Sequence, residues 1–337
     1  MTIFLAIIFL SIILLSHELG HFLLAKASGV EVEEFGFGFP PKIVGKKFGN
    51  TEYSLNWLPF GGFNKINEES FDRQPVGRRA LILSGGVIAN FILGWIFLVL
   101  VFMIGSKPLV IIGDLAPNSP AALSGLQKND EIVSVIHQDD VLNSPFSSQN
   151  FIDFTSRFKG QPITLKINRA GKTLDFQITG RLNPPAGEGS LGLVVIDAGS
   201  QAQSFGQSLI DASKFTGQVT LLTFSSLYDL VTKAFSQPAL LNSLTGPIGA
   251  VALAGQVGKI GFTYLLQIMA FLSLGFAVFN ILPFPGLDGG HLFFTLIEKF
   301  KGSPVSIKIR GWSNACGLGF LLLLMVFITV KDIKSLL

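Results

Sequence analysis

Three stretches of this chain carry no charged side chain over a length that can cross about 30 Å of hydrocarbon, which takes roughly 20 helical residues. They are Ala80–Gly105, Ile260–Leu287 and Gly311–Val330. Backbone in hydrocarbon must satisfy its own N–H and C=O groups, so each reads as a helix. A fourth, Thr2–Ala25, is apolar except for Ser16-His17-Glu18 and His21. No Lys or Arg precedes Lys26 and the run leads into His and Glu, so it reads as an uncleaved first span rather than a signal peptide. Only 14% of the residues are charged, against about a quarter in soluble domains, which excludes an ordinary soluble protein. A net charge of +3 without a basic run excludes nucleic acid as a partner, and one cysteine, Cys316, excludes a disulfide framework or a cysteine-based metal cluster.

Charge between the spans sets an orientation. Eight basic residues lie between Lys26 and Arg79 (Lys26, Lys42, Lys46, Lys47, Lys65, Arg73, Arg78, Arg79), and four (Lys299, Lys301, Lys308, Arg310) lie between the last two spans. Both loops are therefore expected in the cytoplasm and both termini outside, with Ser106 to about Lys259 extracytoplasmic. From Gln203 to Ser236, Phe205, Leu209, Ala212, Phe215, Val219 and Leu222 recur at helical spacing, but Asp211, Lys214, Asp229 and Lys233 interrupt the apolar run. An amphipathic helix lying in the interface fits, continued along the surface by the Pro- and Gly-punctuated residues 237–258.

The extracytoplasmic section has its own pattern. Ile163–Ile167 and Leu174–Ile178 alternate apolar and polar around a Gly-containing turn, which predicts a half-buried β-hairpin. Asn118-Ser-Pro-Ala-Ala-Leu-Ser-Gly-Leu126 followed by Asn129-Asp-Glu-Ile132 resembles the centre of a PDZ domain of the bacterial protease type, with Asn129 where a Gly is usual. His137 falls in this domain and is expected to be an ordinary surface residue.

The chemistry sits in the first span. His17-Glu18-Leu19-Gly20-His21 is an H-E-x-x-H motif, whose two imidazoles share a helix face while Glu18 projects about 100° round from His17. That arrangement suits Zn2+: two nitrogen ligands, and a carboxylate beside the metal to take a proton from its water. Ionisable groups in a span are costly and mark a site. A third protein ligand is expected from the same depth, and the third span ends in Asn280-Ile-Leu-Pro-Phe-Pro-Gly-Leu-Asp-Gly-Gly-His291, which offers Asp288 and His291. One further crossing by residues 203–258 would put these on the wrong side, which favours four spans. Pro283 and Pro285 break the helix, and Gly286, Gly289 and Gly290 permit close backbone approach.

These motifs together resemble the site-2 protease family of intramembrane zinc metalloproteases, of the bacterial regulator of sigma-E protease type, over nearly the whole chain. HELGH matches the family's HExxH, and Asn280–Gly289 matches its N-x-x-P-x-P-x-L-D-G. The resemblance implies Asp288 as third zinc ligand and Asn280 as the amide that holds substrate. Phe35–Phe39 and Leu58–Lys65 resemble the family's cytoplasmic, membrane-associated β-hairpin, which implies substrate contact along an edge strand including Phe60, Gly61, Gly62, Phe63 and Asn64. Gly86-Val-Ile-Ala-Asn-Phe91 resembles its G-P-x-x-N-F, with Val87 in place of Pro, and Leu244–Gly249 matches a stretch beyond the PDZ region. Room exists for one PDZ domain, where many relatives carry two.

The expected fold is thus an α-helical polytopic membrane protein with four transmembrane helices, an inserted β-rich PDZ-like domain and the cytoplasmic hairpin. Residues 1–105 hold the first two spans and the hairpin, 106–200 the PDZ-like domain, 201–259 the interfacial helices and 260–337 the last two spans. The implied activity is regulated intramembrane proteolysis of single-span membrane proteins, anti-sigma-factor-like or signal-peptide remnants, already trimmed by a site-1 protease. Its implied setting is the bacterial inner membrane, with the active site near the cytoplasmic side and the lipid bilayer as the other partner. The alternative from another class is a non-catalytic membrane PDZ scaffold, which would require a lost ligand or base; none is lost.

Overall fold

The computed structural model describes residues 2–105, 109–169, 171–185, 188–199, 202–233, 236, 246, 249 and 261–336. Most of residues 237–258, with the stretch Leu244–Gly249 apart from residues 246 and 249, lies outside them. The chain forms two compact units: Met1–Met103 with Ser204–Leu337, and Ile104–Gln203.

The first unit combines long helices with one small sheet. Helix α1 (Thr2–Ala27) leads into two long strands, β1 (Val32–Phe48) and β2 (Thr51–Ile66), then a short α2 (Glu68–Asp72). The expected single helix over Ala80–Gly105 is broken: α3 (Val76–Leu83) stops at Ser84, whose hydroxyl donates back to the Ala80 carbonyl, and α4 (Gly85–Ile104) restarts. Four helices among the described residues are long and apolar enough to cross a membrane: Ile8–Ala27, Gly85–Ile104, Phe262–Asn280 and Ile307–Lys334. The core of this unit gathers Ile13, Phe97, Leu98, Val101, Leu265, Met269 and Leu274.

The β strands fold back on themselves. Residues Glu34–Phe37 of β1 register with Gly62–Lys65 of β2 on one side and with Glu52–Leu55 on the other, and Glu52–Leu55 also registers with Val44–Lys47. The inner segments are tied together by Thr51 Oγ1, which donates to the Val32 carbonyl at 2.7 Å, and by buried Asn56, which donates to the Phe37 and Gly38 carbonyls. Segment 62–66 lies at one margin of this small sheet. Lys42 reaches both Glu52 (2.8 Å) and Glu34 (3.0 Å), and these bonds raise its ammonium above the ordinary range.

In the second unit, strands β3 (Leu109–Leu115), β4 (Glu131–His137), β5 (Asp140–Asn143), β6 (Pro162–Arg169), β7 (Lys172–Thr179) and β8 (Leu193–Ala198) form one sheet in the order β7-β6-β4-β3-β8, with β5 also on β4. The expected hairpin is β6–β7, in register from Pro162↔Thr179 to Arg169↔Lys172. Helices α5 (Pro120–Leu123) and α6 (Ser148–Arg157) complete it, and Ile112, Ile132, Val135, Phe151, Phe154, Leu165 and Ile167 fill its core. His137 is a correction. It is buried, its Nδ1 lies 2.9 Å from the Pro162 carbonyl, and its ring stacks on Phe158 at 4.2 Å. The alternation of β4 shifts phase at Ser134-Val135, both buried, so position 137 falls on the same inward side as Val135, which periodicity read from the residue string does not reveal.

Helix α7 (Phe205–Lys233) is continuous, as the periodicity predicts. Its middle packs on the helical core: Ala212 is buried, Phe215 meets Phe102 and Phe271 edge-on or tilted at 6.0 Å, and Trp95 Nε1 donates to Ser213 Oγ at 3.0 Å. The ends of the predicted stripe, Phe205 and Leu222, are exposed. Among the described residues, α8 (Phe262–Asn280), α9 (Asp288–Lys301) and α10 (Ile307–Leu336) follow.

Asn129 has φ +70°, the left-handed conformation that Gly adopts freely and Asn tolerates best. The next residue, buried Asp130, accepts from Arg169 Nε (2.8 Å) and a terminal nitrogen (2.7 Å) and from the Gln127 amide. Asn129→Gly is expected to leave stability within about 1 kcal/mol, whereas Asn129→Val costs about 1–2 kcal/mol. Limited proteolysis of the full chain within residues 104–203 measures both; equal resistance of the two variants would contradict the backbone argument.

Candidate metal centre

Residues four apart on α1 bring two imidazoles over each other, with His17 Nε2 and His21 Nε2 separated by 3.3 Å. Asp288, the first residue of α9, inserts Oδ2 at 3.0 Å from His17 Nε2 and 3.1 Å from His21 Nε2. The three form the one such cluster of potential metal ligands among the described residues. Donor atoms of a tetrahedral zinc with bonds of about 2.0–2.1 Å stand about 3.3 Å apart, so this triangle has the right edge lengths.

The tautomers fit as well. His21 Nδ1 lies 2.8 Å from the Ile82 carbonyl, so it holds the ring proton and donates it, leaving the Nε2 lone pair facing the cluster. Ile82 can accept because α3 ends at the next residue, Leu83, and the late carbonyls of a helix lack their usual intrahelical partners. The break at Ser84 thus supplies a buried acceptor that an unbroken span would have used internally.

Glycines set the depth of this packing. A Cβ on Gly20 would stand 2.1 Å from the Gly85 carbonyl oxygen, and one on Gly86 would stand 2.4 Å from His17 Cε1 and 2.5 Å from His21 Nε2. The backbone of α4 therefore forms the floor under both rings. On the other side, Phe276 of α8 meets the His17 ring edge-on at 5.2 Å.

Asp288 is placed by the loop 281–287. Gly286 takes φ +91°, and its N–H donates to Asn314 Oδ1 of α10 at 3.3 Å. Asn314 Nδ2 donates in turn to His291 Nε2, also at 3.3 Å. A Cβ on Gly289 would meet the Leu282 carbonyl oxygen at 2.2 Å, so the start of α9 folds tightly back on the loop. His291 stands outside the cluster and bonds Asn314 instead.

The other sequence candidates surround this centre. Glu18 is half-buried on α1, one residue past His17. Asn280, the last residue of α8, is buried and donates to the Phe276 carbonyl at 3.0 Å. Gly61 faces Leu14 and Gly62 faces Leu15, so β2 runs beside the turn of α1 that precedes His17. The side chain of Phe60 lies outside the description. Phe63 covers Gly36, and both polar atoms of the Asn64 amide are buried without a partner among the described residues. Sequence reasoning missed the Ile82 carbonyl and Asn314, and it named Gly86 only as part of the Gly86–Phe91 resemblance, without a place in the site. The available signals were the Gly85-Gly86 pair and a lone amide in an otherwise apolar last span.

A helical bundle with two imidazoles of an H-E-x-x-H turn and a distant carboxylate converging on one point defines a metal-dependent hydrolase class. The chain belongs to Peptidase family M50, whose family model matches residues 5–324. It is 33% identical to a Clostridium perfringens protein named "Putative zinc metalloprotease CPE1693", over 99% of this chain and 98% of that one. It is 28% identical to the Salmonella typhimurium Regulator of sigma-E protease RseP, over 98% of both chains. It is also 28% identical to the Arabidopsis thaliana protein named Membrane metalloprotease ARASP, chloroplastic, over 98% of this chain and 78% of that one.

Gly86→Ala raises intrinsic helix propensity by about 1 kcal/mol yet puts a methyl group into both rings. It is expected to lower bound zinc well below one equivalent while helical content holds, read by metal analysis and circular dichroism of purified protein. Full zinc occupancy in this variant would show that the rings do not rest on α4.

Proposed function

We propose that this chain is an intramembrane zinc endopeptidase that hydrolyses a peptide bond within or beside the membrane span of another protein. The observation that carries the reading is the triangle of His17 Nε2, His21 Nε2 and Asp288 Oδ2, which these side chains would share as ligands. Family membership and the names of the relatives point the same way. When bound, zinc polarises a carbonyl and lowers the pKa of water towards about 7.

The chain's own groups do the rest. Glu18, beside the ligands but not one of them, takes the proton from the attacking water and delivers it to the leaving amine. Asn280 has two amide hydrogens, of which Phe276 engages one, so the second is free to hold a substrate carbonyl oxygen. A helical substrate hides its carbonyls in its own hydrogen bonds and must be unwound. Segment Gly62–Ile66, at a margin of the β1–β2 sheet and continuous with the Gly61–Gly62 contact on α1, would receive it as an added strand, with Phe60, Phe63 and Asn64 alongside.

Further parts of the proposal concern setting. The protein is a multi-pass protein of the bacterial inner membrane with the metal centre towards the cytoplasm. The unit Ile104–Gln203 is a single PDZ-like domain on the opposite side that admits substrates already trimmed by another protease. Single-span, anti-sigma-factor-like proteins or signal-peptide remnants are the substrate class. The basic loops support the orientation.

Glu18→Gln is expected to retain stoichiometric zinc and lose at least about 10²–10⁴ in cleavage of a transmembrane substrate. Asp288→Ala loses both zinc and cleavage, whereas His291→Ala keeps its zinc. Normal turnover by Glu18→Gln, or zinc that follows His291, would refute the assignment of roles.

Orientation has its own test. With the exposed Cys316 replaced by Ala, a cysteine at Lys172 should react with an impermeant thiol reagent on intact cells and one at Lys46 should not. The reverse pattern would place the metal centre on the outer side.

A further inference from the structure

Asn90 of α4 has no exposed surface, and its Nδ2 lies 3.5 Å from Nδ1 of His17. Its Oδ1 is buried and has no hydrogen-bond partner among the described residues. The backbone carbonyl of Asn90 accepts from Ser273 Oγ of α8 at 2.9 Å, and Ser273 is likewise fully buried. The second membrane-type helix is thereby pinned to the third at the residue that faces the first helix's ligand.

A neutral imidazole carries one ring proton. If His17 Nε2 is to offer its lone pair to a metal, the proton must sit on Nδ1, and the group beside Nδ1 must accept it. His21 meets this requirement with the Ile82 carbonyl. For His17 the group in that place is the Asn90 amide. With Nδ2 towards the ring, Asn90 donates to Nδ1, and the proton is held on Nε2, facing Asp288. A half-turn of the amide exchanges its ends and presents Oδ1 as the acceptor.

We propose that Asn90 is a positioning residue that selects the tautomer of His17, its amide oxygen accepting from Nδ1–H so that the Nε2 lone pair is released to the metal. An amide suits both states, since it donates to the metal-free tautomer and accepts from the metal-ready one. A purely space-filling role would favour Leu, because burying an amide in an apolar bundle without a partner costs about 1–3 kcal/mol. The assignment rests on the zinc reading of the triangle.

The test is chelator competition for zinc on the full-length protein in detergent, comparing wild type with Asn90→Leu and Asn90→Asp. Leu keeps the γ-branched outline, with more bulk, but cannot accept a hydrogen bond, and should weaken zinc binding about 10–100-fold. Asp can accept from Nδ1–H and should hold zinc within about threefold of wild type, as carboxylate–histidine–zinc arrangements do. Zinc affinity of Asn90→Leu equal to wild type overturns the proposal, as does equal weakening by Leu and Asp. If Asn90→Leu does not accumulate, Asn90→Asp decides alone. A buried carboxylate with no donor facing it would cost the fold or the zinc, whereas retained zinc shows the donor to be Nδ1–H. Wild type that binds no zinc would overturn the zinc reading itself, an outcome distinct from wild-type binding that Asn90→Leu leaves unchanged.

Discussion

Three electron-rich atoms held within 3.3 Å of one another repel unless a proton or a cation lies between them. Two come from adjacent turns of one helix and are brought together by the helical repeat alone. The third comes from a residue 267 positions away in sequence from His21. Keeping that carboxylate against the imidazoles is the constraint to which much of the helical unit answers. The last apolar helix holds the loop through Asn314, and the tight start of α9 aims Asp288.

The same constraint explains where this unit uses glycine and where it interrupts a helix. Side-chain rings stacked directly on a neighbouring backbone need that backbone bare, which is why Gly86 lies under the histidines and Gly20 opposes Gly85. The cost in helix propensity, about 1 kcal/mol for each glycine, is offset by packing that no larger residue allows. Breaking the second apolar segment at Ser84 leaves the Ile82 carbonyl in the last turn of α3, where helical carbonyls lack their usual intrahelical partners. His21 satisfies it, so a defect in one helix becomes the anchor of a ligand on another.

The unit Ile104–Gln203 follows different rules, those of an antiparallel sheet with a filled core. Its specificity lies in a few polar residues rather than in apolar content. Asp130 is almost wholly buried and receives a two-pronged bond from Arg169, a geometry that ties the β6–β7 turn to the residues before β4. The left-handed Asn129 turns the chain so that this carboxylate points inward.

Local chemistry was legible in the residue string. Charge-free length identified the membrane-type helices, the i and i+4 spacing of His17 and His21 put both rings on one face, and alternation located the β6–β7 hairpin, because each depends on a repeat of a few residues. The resemblance carried by Asn280–Gly289 pointed to Asp288, while residue chemistry alone left Asp288 and His291 as equals. Their separation is tertiary: α10 supplies Asn314, which engages His291, and α9 begins where only Asp288 reaches the rings. His137 shows the same limit, since a histidine at a strand end is polar by composition and becomes interior only when Phe158 stacks on it. Sequence alone determined which side chains could bind and which segments had to be helical, because those follow from covalent spacing and solvation. The tertiary structure decided which lone pairs converge, which carbonyl is freed and which backbone stays bare, because these are properties of distances between segments that no local repeat encodes.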